Sequence, residues 1–193
     1  MNIDYLGKCS ERQHKATLAV AQQLVCLPAP LIASLPIVVR RGEVLIYHSS
    51  QEGPRPDKDF VNPYIMNGSF SLELRMKYLH ALETGQKMAH GHELKSIFDE
   101  LTEDSRTRLI AYFSTETKNN AICKRISRLL NEQKVQFRWD LPFLLAKSNL
   151  AFERWRYIYE QKGDIAWFCG YTQIKAALDR RIKELVAAPS GAA

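Results

Sequence analysis

Four cysteines, Cys9, Cys26, Cys123 and Cys169, are scattered through 193 residues, and no two form a Cys-x-x-Cys pair. A chain of this length with so few thiols has no need of a disulfide framework, and reduced cytosolic thiols are expected. Glycine content is unremarkable, nine in all, but no glycine-rich loop that would cradle phosphate is present, which removes the dinucleotide, P-loop and kinase fingerprints. There is no Gly-x-Ser-x-Gly elbow, and no cysteine stands beside a histidine, so the signposted nucleophilic hydrolases are excluded. Three of the five histidines, His80, His90 and His92, lie close in sequence. They lack the His-x-x-x-His spacing that puts two ligands on one helix face. No metal and no cofactor are expected.

A membrane-spanning run is missing as well. Residues 16–39 carry no charge, but Gln22, Gln23, Pro28, Pro30 and Pro36 interrupt them. A spanning helix needs about 20 apolar residues, and interior prolines break helices. The stretch reads as a buried helix followed by a proline-punctuated connector, and it starts too far along, without a small-residue cleavage pattern, for a signal peptide. A soluble, cytoplasmic protein with no membrane partner is expected. What the chain lacks in acid it has in base: 27 Lys and Arg against 21 Asp and Glu give a net charge of +6 and a pI near 9.2. That balance suits a polyanionic partner such as RNA or DNA, and equally a basic solvated surface.

The remaining pattern is helical. A first helix is expected over about residues 10–27, ending at Pro28. The stretch "IVVRRGEVLIYH" pairs two short β-branched runs around Arg40-Arg41-Gly42-Glu43, and predicts one small hairpin near residues 36–48. Asn62-Pro63 looks like an N-cap with proline at the first helical position. The helix behind it, over about residues 63–83, is apolar nearly all round through Leu72, Leu74, Met76, Tyr78, Leu79 and Leu82, as a central bundle helix would be. Leu94, Ile97, Phe98 and Leu101 form an amphipathic stripe. Thr102, with Asp104 and Ser105, is placed to cap a helix carrying Leu109, Ile110 and Phe113, and Ile122, Ile126, Leu129 and Leu130 mark the next. "LPFLLAKSNLAFERWRYIYEQKG" reads as one long helix, and "DIAWFCGYTQIKAALDRRIKELV" as the last. The expected fold is all-α: a single up-and-down bundle of five to seven helices. Residues 1–60 would form an N-terminal helix and hairpin extension, 61–187 the bundle, and 188–193 a frayed tail.

Candidate functional residues come from two stretches. On a helix over "NLAFERWRYIYE", Phe152, Trp155 and Tyr159 face the core, Arg156 and Glu160 pair at i, i+4, and Arg154 lies on another face. The stretch is either an amphipathic helix with a surface ion pair or a cluster of guanidinium and phenol groups that meets RNA phosphates. Together with Lys162, Arg180 and Arg181, Arg154 and Arg156 make up the candidate nucleic-acid contacts.

Three segments in this order, "SLELRMKYLHALETG", "GHELKSIFDEL" and "AFERWRYIYE", resemble successive helices of the HEPN domain family over roughly residues 63–160. The first resembles that family's second helix, the second its His-led third helix with His92 as the loop histidine, and the third the Arg/Tyr-rich fourth helix of some members. The resemblance implies a helical bundle, often homodimeric. Many members are metal-independent ribonucleases in bacterial or phage toxin–antitoxin and defence systems, which would add an antitoxin or partner protein. Their signature is an Arg followed four to six residues later by His on a late helix. There the 2′-hydroxyl attacks the adjacent phosphate, His transfers protons and Arg stabilises the added charge. No histidine follows Arg154 or Arg156 here, the last being His92. Arg75–His80 and Arg41–His48 satisfy the spacing elsewhere, which is close to what chance gives with 14 Arg and five His. The expectation is therefore a non-catalytic or diverged RNA-binding module. The alternatives are a ribonuclease with Arg75, His80, Arg156 and Tyr159 converging in the bundle, and a structural or regulatory helical module.

Overall fold

The computed structural model describes residues 3–25, 37–40, 43–46, 61–85, 89–132, 137–149, 166–168 and 170–187. In chain order these form α1 (Ile3–Val25), β1 (Ile37–Arg40), β2 (Glu43–Ile46), α2 (Val61–Thr84), α3 (Leu94–Glu100), α4 (Glu103–Lys118), α5 (Ala121–Glu132), α6 (Leu141–Lys147), β3 (Ala166–Phe168) and α7 (Tyr171–Ala187). The architecture is the expected all-α bundle, with a small sheet beside it.

The bundle is organised around α2. Its Ile65, Leu72, Met76 and Leu79 are buried, and they join one apolar cluster with Leu94, Ile97 and Phe98 of α3, Leu109 and Phe113 of α4, Leu141, Leu144 and Leu145 of α6, and Tyr171, Ile174 and Leu178 of α7. Burial on several sides explains why the helix shows almost no amphipathic pattern. It ends where Gly85, at φ 69°, donates its N–H to the Ala81 carbonyl at 3.0 Å, a left-handed stop that glycine adopts without strain. Behind the loop, Glu73 of α2 is 3% exposed, and it accepts from Lys77 Nζ at 2.8 Å and from His92 Nδ1 at 2.9 Å. The loop histidine therefore ties the α2–α3 connection to the middle of α2.

The α3–α4 junction follows the predicted chemistry. Thr102 leaves the helical conformation, and its Oγ1 accepts from the Ser105 N–H at 3.3 Å. The same hydroxyl donates to Glu83 Oε1 at 2.7 Å, tying the cap to the end of α2. Asn120 Oδ1 accepts from Cys123 N at 3.2 Å to open α5, and Asp140 Oδ1 from Phe143 N at 2.8 Å to open α6. Side-chain caps of this kind satisfy amide groups that the first helical turn leaves orphaned.

Four boundaries depart from the sequence expectation. First, α1 begins at Ile3, not near residue 10. Its inward positions Leu6, Ser10 and Thr17 are all buried, and two of them are hydroxyl residues, so the apolar periodicity is faint. Second, α2 starts at Val61, ahead of the proposed Asn62 cap. Third, α6 stops at Lys147, where Ser148 N bonds to the Leu144 carbonyl at 2.9 Å and a turn follows. The rest of the expected long helix, with Arg154, Arg156, Tyr159 and Lys162, lies outside the described residues. Fourth, Ala166–Phe168 is not helical but a strand, pairing antiparallel with β1 through Ile37↔Phe168, Val38↔Trp167 and Val39↔Ala166. The predicted hairpin is present as β1–β2, and the sheet order is β2-β1-β3. Helix cannot run through Gly170, which sits at φ 74°; a Cβ there would lie 3.2 Å from the Trp139 ring. The last helix therefore starts at Tyr171. Among the described residues no helix is long and apolar enough to cross a membrane.

Candidate nucleic-acid interface

Arg75 and His80 do not form the predicted pair. The Arg75 guanidinium is turned towards α7, where Nε donates to Asp179 Oδ1 at 2.6 Å, and its Nη2 lies 3.9 Å from Glu11 Oε2 of α1. Five positions further on, His80 is only 8% exposed and stands about 140° away around the helix axis. Arg156 and Tyr159, the other two members of the proposed site, lie outside the described residues.

The two arginines named on α7 have opposite fates. Arg181 is buried, 7% exposed. Its Nε donates to Ser105 Oγ at 2.7 Å, one Nη to Asp104 Oδ2 at 2.7 Å, and the other to Glu184 Oε2 at 3.4 Å. It fastens α7 to α4, and its donors are committed within the fold. Arg180 points the other way. Its side chain is 56% exposed, and its guanidinium carbon sits 4.0 Å above the centroid of the Tyr112 ring. That is cation–π contact.

Helical spacing brings the neighbours of Arg180 together. On α7, Ala176, Arg180, Lys183 and Ala187 recur at i, i+4, i+7 and i+11, a stripe that faces away from buried Ile174, Leu178 and Ile182. With Asp179 and Glu184 they line a shallow surface groove. Beside it on α4, Asp104, Arg108 and Tyr112 recur at i, i+4 and i+8 and reach the α7 side chains. Arg108 Nε donates to Asp104 at 2.9 Å, its Nη1 lies 3.9 Å from Glu184, and the Tyr112 hydroxyl donates to Glu184 Oε1. The hydrogen bond from Tyr112 holds the Glu184 carboxyl below the usual range. That from Arg108 does the same for Asp104, so both stay ionised. Arg108 and Arg181 thus engage Asp104 and Glu184, the third carboxylate, Asp179, is taken up by Arg75 and Lys175, and Arg180 and Lys183 remain exposed.

A second polar cluster, invisible in the sequence, joins α1, α2 and α7. His14 Nδ1 is 2.7 Å from the Tyr171 hydroxyl, which donates to Ser71 Oγ at 3.1 Å. The imidazole, the phenol and the Ser71 hydroxyl thus form one hydrogen-bonded chain across the three helices. Burial, aided by the Lys175 ammonium, lowers the His14 pKa. Burial also pushes the Tyr171 phenol up to about 12. Lys175 Nζ binds Asp179 Oδ2 at 2.6 Å, so Arg75 and Lys175 share one carboxylate. His14 and Tyr171 are 157 positions apart. Only the buried hydroxyl residues on α1 hinted that this helix had a polar face to satisfy. Among the described residues no three His, Cys, Asp or Glu side chains converge to hold a metal ion.

No family model matches the chain, and neither the curated proteins nor the solved structures contain a match to it.

Proposed function

We propose that this chain is an HEPN-like helical module that binds nucleic acid, RNA foremost, and does so without catalysis through the α4–α7 face. One observation carries the reading: Arg180 and Lys183 lie together in solvent along a groove on α7, while most carboxylate charge nearby is engaged by Arg108, Arg181 and Tyr112. Exposed cations clustered on one helix face are the electrostatic footprint of phosphate binding. The resemblance over residues 63–160 and the net charge of +6 support the same reading. The engagement of Arg75 by Asp179 argues against Arg75 and His80 acting as a catalytic pair. The test is RNA retention over a salt series with wild type and Arg180→Ala/Lys183→Ala. Retention at low salt that the double substitution weakens about tenfold or more supports the proposal. No retention at low salt leaves a structural or protein-binding helical module.

A metal-independent ribonuclease of a defence system is the second reading, and His14 is what favours it. Tyr171 contacts the imidazole, and Arg75 and Lys175 lie near it together with Glu11 and Asp179, a set of acid–base groups of the kind used in proton transfer. RNA cleavage in the presence of a chelator, or growth arrest on expression, lost in His14→Asn, would replace the binding-module reading with this one.

A further inference from the structure

Arg180 is built differently from the other cations of the α4–α7 face. Arg181 spends its donors on Ser105, Asp104 and Glu184, and Arg108 is drawn to Asp104. Among the described residues Arg180 has only a loose pairing, Nε to Glu184 Oε1 at 3.9 Å. Tyr112 supports it from below at 4.0 Å, and Tyr112 is itself fixed by its hydroxyl on Glu184. One face of the guanidinium therefore rests on an anchored ring. The other belongs to a side chain that is 56% exposed, at the edge of a groove in which Ala176 and Ala187 contribute no bulk. Such a plane is a stacking shelf. Arginine planes and aromatic rings take up unstacked bases, whereas the bases of an A-form duplex are stacked inside and out of reach.

From this geometry, and resting on the nucleic-acid reading above, we infer that the ligand is single-stranded RNA, with one base stacked on the Arg180–Tyr112 shelf and an adjacent phosphate on Lys183. The shelf gives a preference for single strands that charge alone does not, because phosphate contacts are available on single strand and duplex alike.

The test compares a fluorescein-labelled, unstructured oligoribonucleotide with its blunt duplex by anisotropy at fixed low salt. Wild type, Arg180→Lys, Tyr112→Leu and Lys183→Ala are measured, each confirmed folded by its thermal transition. Lysine keeps the charge of Arg180 and loses its plane. Arg180→Lys is expected to weaken single-strand binding about tenfold, the scale of one lost base stack, and to leave duplex binding unchanged. Tyr112→Leu does the same by removing the support. Lys183→Ala weakens both ligands alike. If Arg180→Lys lowers single-strand and duplex affinity equally, or neither, the shelf is refuted and the nucleic-acid reading stands. If wild type binds neither ligand, both fall.

Discussion

Gly85 and Gly170 hold similar positive φ angles, 69° and 74°, yet among the described residues an added Cβ meets nothing within 4 Å at the first and the Trp139 ring at 3.2 Å at the second. Gly85→Ala should therefore cost only the left-handed strain, about 1 kcal/mol. Gly170→Ala adds overpacking against Trp139 and Leu144 and should cost about 3 kcal/mol. Urea unfolding of the two variants measures the difference directly. Arg180 and Arg181 make a parallel contrast. Removing Arg181 leaves the buried Ser105 hydroxyl without its partner, so Arg181→Met should lose about 2 kcal/mol. Arg180→Ala, at a 56% exposed side chain, should stay within about 0.5 kcal/mol of wild type. Nothing in the dipeptide Arg180-Arg181 distinguishes the two; the helical phase relative to α4 does. Leu109 and Phe113 were legible as core residues because their spacing is apolar and regular. Ile110, grouped with them in the sequence, is 42% exposed because it falls one step off that face.

At the scale of elements, the seams between helices carry the charge. The α1–α7 seam centres on His14, faced by Glu11 and Thr17 from its own helix, Ser71 and Arg75 from α2, and Tyr171, Lys175 and Asp179 from α7. The folded state holds the His14 pKa below its ordinary 6.5, chiefly through burial. The neutral form is thus favoured by folding, and this contribution to stability is fully present above about pH 6.5. It is lost as pH falls through the lowered folded value, where the fold must charge a half-buried ring. Urea unfolding free energies at pH 7.5 and 5.5 should show that loss in wild type, and a smaller one in His14→Asn, which keeps a donor near Tyr171. At the α2–α3 connection, Glu73 is the acceptor for Lys77 and His92. Glu73→Gln strands a buried ammonium and should cost about 3 kcal/mol, again read from urea unfolding. Apolar residues on nearly every face announced α2, the stripe at i, i+3, i+4 and i+7 announced α3, and cap chemistry announced α4. The early turns of α1 and the strand at Ala166–Phe168 were not announced. Ser10 and Thr17 mask the first, and a three-residue strand has too few positions to show a period of two.

For the whole molecule, the expectation concerns how binding responds to salt. The proposed interface exposes two cations that are not held by a close carboxylate among the described residues, Arg180 and Lys183. Each phosphate neutralised on a single strand contributes about −0.7 to the slope of log K against log salt. A slope of about −1.4 is expected for wild type, falling by about half in Lys183→Ala. A slope near zero would show that the net charge of +6 is only a solvated surface.

Patterns repeated along the chain determined the helical class, the central position of α2, the amphipathic α3, the Thr102 cap and the hairpin, because local periodicity and turn chemistry act over a few residues. Only the tertiary structure decided which polar groups meet. Arg75 could be paired with His80 by counting along the chain. Packing paired it instead with Asp179, 104 positions away, because buried guanidinium groups take the nearest carboxylate that a neighbouring helix presents. The same packing set Arg180 over Tyr112 and turned Arg181 inwards.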